Sequence, residues 1–234
     1  MRDRLTVVIA GVGVAGVLAS LVLFAMLHLL PPSGDLDWAR RTISQYALLP
    51  NGWWFDAAVL LLAAGSVAVL AAAMRAGVVR GGAAVALLLW AAALVGMVWF
   101  EKHNWSAGPS RSGDIHRVAS VVAFLSLPVA ALLAAARRWR HEVAARWVAL
   151  GGVASVVSFS PMVWAVVSEP WTGVRWWRAI PLGGVERVLG LVEVVTLLLI
   201  AGWAVSRSRR AAPRPTPVIP GTGHEESTRS MRGR

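Results

Sequence analysis

The chain of 234 residues has no cysteine, one lysine (Lys102), one tyrosine (Tyr46) and only 15% charged residues. Without cysteine there is no disulfide, no thiolate metal ligand and no thiol nucleophile. So few charges cannot cover the surface of an ordinary soluble domain. The catalytic spacings of common enzyme classes are also missing: there is no Gly-x-Ser-x-Gly elbow, no phosphate-binding P-loop and no His-Glu-x-x-His pair.

What is present is apolar sequence in blocks, 57% of the whole. Six runs stand out, at about residues 5–30, 53–74, 81–100, 114–136, 147–167 and 183–205. Each holds ~20 residues or more, enough at ~1.5 Å per residue to cross a hydrocarbon layer of ~30 Å. None alternates apolar and polar residues as a barrel strand does. The fold expected is all-α, a six-helix transmembrane bundle forming one domain over residues 1–206. The first run is too long for the apolar core of a signal peptide, and no small-residue cleavage site precedes Pro31-Pro32, so it reads as a retained helix.

Arginine placement sets the expected orientation. With the N-terminus inside, the inner segments carry Arg2 and Arg4, Arg75 and Arg80, Arg137, Arg138, Arg140 and Arg146, and seven more from Arg207 onward, fifteen of the 23 basic residues. The positive-inside rule then places both termini in the cytoplasm, in a cell (inner) membrane. Arginine clusters at helix ends also account for the formal charge of +11 without nucleic acid, since anionic headgroups lie there. The partners expected are membrane lipids, with a lipid-like ligand or a membrane protein beside them. The arginine, alanine, valine and glycine bias hints at a GC-rich bacterial genome. From residue 207 to 234 the chain turns basic and proline-rich, with too few apolar residues to fold, and is expected to be a disordered cytoplasmic tail.

Nine of the thirteen tryptophans fall toward the outer side (Trp38, Trp53, Trp54, Trp99, Trp105, Trp164, Trp171, Trp176 and Trp177). They form either a headgroup-level belt or an aromatic-lined mouth over a pocket. Gly11, Ala15 and Ala19, and more weakly Val12, Gly16 and Ser20, make small-residue stripes on the first helix, as Gly151 and Ser155 do on the fifth. Pro128 and Pro161 are expected to kink their helices and release a carbonyl each. No internal repeat supports an inverted-repeat transporter.

Two constellations carry candidate chemistry. Glu186, Gly190 and Glu193 are spaced to share one face of the sixth helix, and Glu193, ten residues in from Gly183, lies ~15 Å deep. A carboxyl at that depth costs at least ~2.5 kcal/mol and should face the bundle interior. The alternatives are a hydrogen-bonded structural group, a proton relay, a cation site or a ligand contact. At the outer start of the fourth helix, Asp114 is a candidate cap, Arg117 its local partner, and His116 projects toward the face of Ser120. Asp56 and Arg187 are expected at a similar depth. Arg40, Arg41, Ser44, Gln45 and Tyr46 of the first outer loop, with Glu101 and His103 of the second, could join them. No metal-ligand spacing links Asp56, His103 and His116, and facing histidine pairs for haem are missing, so no metal or cofactor is expected.

Ile43-Ser44-Gln45-Tyr46, Asp114-Ile115-His116-Arg117 with Ala119 and Phe124, and Gly184-Val185-Glu186-Arg187 together resemble the bacterial and archaeal membrane family called domain of unknown function 998. The resemblance runs from about Leu5 to Val205. It implies six helices and an outward cluster of Ser44, Tyr46, His116, Glu186 and Arg187, and brings no activity with it. Glu193 is not part of that pattern. The function expected first is non-enzymatic, a module binding a lipid, a small amphiphile or a partner protein at its outer face. The alternatives are a proton- or cation-coupled transporter using Glu193, and a hydrolase or transferase using His116 with Asp56 or Glu186.

Overall fold

The computed structural model describes residues 2–211. In chain order it has α1 (Arg2–Leu29), α2 (Trp53–Arg75), α3 (Gly82–Trp99), α4 (Arg111–Ala135), α5 (Val143–Thr172), a one-turn α6 (Trp176–Ala179) and α7 (Leu182–Ala211), with 3-10 turns at Ser33–Asp35 and Ile43–Leu48. Among the described residues six helices, all but α6, are long and apolar enough to span a membrane. The bundle expected from the apolar runs is therefore the fold. The start of α1, the end of α7 and the short links at 76–81 and 136–142 lie at one end of the described bundle, here the terminal end. The connections at 30–52, 100–110 and 173–181 make the other, the loop-rich end.

The helices pack as neighbours in sequence, α1 on α2, α3 on α4 and α5 on α7, while α2, α4 and α7 also bridge between pairs. Valines and leucines of α1, α3, α4 and α5 face outward, among them Val12, Val22, Leu88, Leu133 and Val157. In a lipid slab such faces need no cover, so packing rests on close backbone approach. Between α1 and α2 this approach is made by Gly13, Gly16 and Gly65: a Cβ on Gly13 would lie 2.9 Å from the Gly65 carbonyl oxygen, and one on Gly65 only 2.8 Å from that of Gly13. The Gly11–Ala15–Ala19 stripe expected to serve here is exposed instead, because α2 meets the side of α1 that also carries buried Val17 and Ser20. On α5 the expected pair holds: Ser155 is buried, and Gly151 admits the Thr196 side chain of α7.

Three boundaries differ from the sequence reading. Helix α5 runs through Pro161 and Pro170 to Thr172. The carbonyl that Pro161 cannot reach, Val157 O, accepts the Ser160 hydroxyl at 2.7 Å, which lets the helix continue. Gly173, at φ 66°, then ends it in the left-handed conformation that glycine adopts without strain. Helix α7 continues past residue 206 to Ala211, since Arg207 is bonded to Glu142. The expected tail lies, from residue 212 on, outside the described residues. At the start of α4 the cap is Ser110, whose hydroxyl accepts from Gly113 N at 3.1 Å, so Asp114 stands in the first turn rather than at the cap.

Glu142 also organises the terminal end. It accepts from the buried Trp203 Nε1 at 2.6 Å and lies 3.6 Å from Arg138 Nε, while Arg138 Nη1 donates to Gly77 O at 2.7 Å. One carboxylate thus ties the 136–142 link to α7 and, through Arg138, to the 76–81 link.

Because backbone atoms of Gly13 and Val17 lie where a Gly65 side chain would go, Gly65→Leu should force α1 and α2 apart. Overpacking of this kind costs about 1–3 kcal/mol or more. A thermal-stability assay in detergent should show a clear drop in melting temperature, while Gly11→Leu, which meets nothing within 4 Å, should leave it close to wild type.

Candidate functional site

The first turns of α7 are built to receive the first long loop. Gly183 lies directly beneath the carbonyl oxygens of Trp38 and Arg41, where a Cβ would collide with both. Gly184 N donates to Ala39 O at 3.0 Å. Glu186 Oε2 accepts from Ile43 N at 2.6 Å, satisfying a free amide at the start of the Ile43–Leu48 turn. Arg187 then gathers the loop: Nη1 donates to Trp38 O, Arg41 O and Gly183 O at 2.8–2.9 Å, and Nη2 to the Tyr46 hydroxyl at 2.9 Å. Its Nε donates to His28 Nε2 at 2.6 Å. His28 Nδ1 lies 2.7 Å from Phe24 O, a carbonyl that can only accept, so Nδ1 carries the proton and Nε2 is free to accept from Arg187. A planar guanidinium suits this fan of acceptors where an ammonium would not.

The second long loop adds the lone lysine. Lys102 Nζ donates to Thr42 Oγ1 and, at 3.2 Å, to Gln45 Oε1, bracing the first loop from the side opposite Arg187. Burial pushes the ammonium down to about 8, against the attraction of Glu186 and with Arg41 adding to the depression. His103 Nδ1 accepts from Ser110 N at 3.0 Å, and its Nε2 faces Asp114 Oδ1 at 3.3 Å. Asp114 is thus tied to His103 rather than to Arg117, which is exposed. His116 Nδ1 lies 2.9 Å from both Met97 O and Phe100 O, carbonyls of the last turn of α3 that have no helical partner of their own. Its ring therefore caps α3. The hydroxyl of Ser120 bonds to the backbone oxygen of His116, not to the ring.

Beneath this roof lies a cavity of about 230 Å³. It is bordered by α1, the Ile43–Leu48 turn, α2, α3, α4 and α7. Phe24, Phe55, Val59, Leu62, Leu94 and Val194 give it an apolar wall. Toward the middle of the bundle the lining includes Leu62, Trp90, Phe124 and the Glu193–Val194 pair. Glu193 is fully buried, and neither of its carboxyl oxygens has a hydrogen-bond partner. Trp90 Nε1 is satisfied by Ser66 Oγ at 2.9 Å, leaving Glu193 as the polar group in the lining that no protein donor reaches.

The structure therefore divides the expected cluster. Ser44, Glu186, Arg187 and Glu193 line the cavity. Tyr46 is buried above it as an acceptor for Arg187. Asp56, half-buried in the first turn of α2, is outside the lining and near Glu101. Asp114, His116 and Arg117 lie in the first turns of α4, where Asp114 faces His103 and His116 bonds the end of α3. The hydrogen bonds of His116 go to neither Asp56 nor Glu186, and among the described residues no three acidic or imidazole side chains converge as a metal cluster. Seven of the nine loop-end tryptophans are exposed, and the tryptophan that lines the cavity is Trp90, so none of the nine forms an aromatic mouth to it. Sequence reasoning missed His28, Lys102, Thr42 and Trp90. A solitary lysine among 22 arginines was the one compositional signal for any of them.

A family model described as "Protein of unknown function (DUF998)" matches residues 14–208. Comparison with curated proteins and with solved structures returns no match.

Two outcomes follow from the clasp. Arg187→Lys keeps the charge but cannot reach the separate acceptors. With hydrogen bonds to charged groups worth about 1.5–3 kcal/mol each, it should destabilise the protein nearly as much as Arg187→Ala, read as melting temperature in detergent. Lys102, the single side-chain amine, should show half-maximal acylation near pH 8 when its labelling is followed by peptide mass spectrometry. Between that value and the ordinary 10.5 the unfolded chain holds a proton that the folded chain has lost, so this group's contribution to stability rises with pH across that window.

Proposed function

We propose that this chain, which belongs to the DUF998 family, is a membrane-embedded receptor for a small amphiphile, which it holds in the cavity beneath its loop-rich end. The carrying observation is the cavity itself: about 230 Å³ of largely apolar space with Glu193, whose carboxyl has no partner, among its lining residues. Engineered apolar cavities of about 150 Å³ already take up a benzene ring, so a short-chain or partly inserted lipid-like molecule has room. Apolar walls with a few convergent polar groups are the usual make-up of a small-molecule site.

In this reading Glu186, Arg187, Tyr46, His28 and Lys102 hold the roof in place, and Glu193 contacts the ligand. The loop-rich end faces the extracytoplasmic side of the cell membrane and both termini face the cytoplasm, as the arginines of the terminal end favour. The ligand is then drawn from the outer leaflet or the space above it. A binding role suits the architecture better than catalysis, since the histidine that lines the cavity, His28, has both ring nitrogens engaged.

Gly190 lines the cavity, and a Cβ placed on it would meet only Ile43 Cδ1, at 4.0 Å. Gly190→Leu should therefore fill the space while suiting the helix. Mass spectrometry of molecules co-purifying in mild detergent should show a species bound to wild type that falls at least about tenfold in Gly190→Leu, the loss expected for about 1.4 kcal/mol of binding energy. Equal recovery from both proteins would remove the cavity as the binding site.

A further inference from the structure

We propose that the amphiphile carries a protonated amine, held by Glu193 with its apolar body against the cavity wall. The inference rests on the binding role above and narrows it to one ligand class.

The polar groups that the cavity leaves free are acceptors. Glu193 presents two unpartnered oxygens with none of its surface exposed. Glu186, two turns away on the same face and ~10 Å along the helix, also lines the cavity and has one oxygen bonded to Ile43 N. The donors nearby are engaged elsewhere, Ser44 Oγ sharing a hydrogen bond with Thr42 Oγ1 at 3.3 Å. Arg187 bonds to His28, Tyr46 and three backbone carbonyls, and His28 donates to Phe24 O. The Ser120 hydroxyl donates toward His116 O and Met97 Sδ. A buried polar group without a partner is costly, and an ionisable one inside a membrane is normally paired. The partner that Glu193 lacks among the described residues is a donor, preferably a cation.

The rest of the cavity decides what sort of cation. Calcium takes six to eight oxygen ligands, magnesium near-octahedral oxygen with several waters, and zinc four ligands such as imidazole and carboxylate, whereas here the wall is apolar and no three-member acidic or imidazole group is found among the described residues. Phe24, Phe55, Leu62 and Leu94 call for a hydrocarbon body. Trp90, also in the lining, has its indole N–H taken by Ser66, so its ring is what remains for a ligand, and an aromatic face attracts an ammonium group. An anionic amphiphile would bring like charge to Glu193, and a neutral one would supply at most a weaker donor.

The test uses the full chain in zwitterionic phosphatidylcholine nanodiscs, titrated calorimetrically with octylamine, octanol and octanoate. Partition into the lipid is subtracted with the cavity-filled Gly190→Leu protein. A charge-assisted hydrogen bond is worth about 1.5–3 kcal/mol, so octylamine should bind about tenfold more tightly than octanol or better, with octanoate weakest. Glu193→Gln should bring octylamine to within about threefold of octanol without weakening octanol. Equal affinity of wild type for octylamine and octanol, or a preference that survives Glu193→Gln, overturns the amine assignment and leaves the cavity's binding role standing. No binding of any of the three beyond the filled variant overturns both. The wild-type comparison decides the matter even where Glu193→Gln does not fold.

Discussion

Inside a hydrocarbon layer no water is at hand to satisfy a polar group, so each must find its partner within the protein. Helices satisfy their own backbone in this way, and the side chains of the bundle follow suit. Ser66, Ser155 and Thr196 donate to the carbonyl one turn back, and Ser66 then accepts from Trp90. Where Pro161 breaks the ladder, Ser160 takes the freed carbonyl of Val157. Trp203, almost fully enclosed, finds Glu142. Against this pattern Ser20 Oγ, Asn51 Oδ1, His116 Nε2 and both oxygens of Glu193 are left over, and of these residues Glu193 is the one that lines the cavity.

The same demand explains the loop-rich end. A loop that folds down over a helix bundle brings backbone carbonyls and amides with it, and these need partners that water cannot reach. Arg187 supplies donors to Trp38 O and Arg41 O, Glu186 supplies an acceptor to Ile43 N, and Gly183 makes room for the approach. Lys102 secures Thr42 and Gln45 from the other side. Family-like residues in the Gly184–Arg187 and Ile43–Tyr46 segments are therefore two halves of one joint. They roof the cavity, and the function assigned to it depends on their holding.

How far the chain could be read without coordinates follows from which forces act locally. Six apolar runs of bilayer length declare six helices because their burial in lipid needs no tertiary information. The common face of Glu186 and Glu193 follows from helical periodicity alone. That these two acids meet different fates does not, since one is two turns nearer the end where a loop amide arrives. Asp114 and Arg117 look like a local pair by spacing, yet His103, eleven residues away in another segment, takes the aspartate. Gly11 and Gly13 look equally suited to close packing. Only the direction from which α2 approaches selects Gly13.

By itself the sequence determined the membrane class, the number and approximate ends of the spans, the family likeness and the position of one acidic residue along its span, because length, hydropathy and helical period are properties of contiguous residues. Tertiary structure alone decided that His28, Tyr46 and Arg187 form a clasp, that His116 caps α3, that seven of the nine loop-end tryptophans are exposed, and that Glu193 borders an apolar cavity without a donor. Each of those depends on residues far apart in the chain arriving within about 3 Å of one another, or failing to. No local pattern records which outcome occurs.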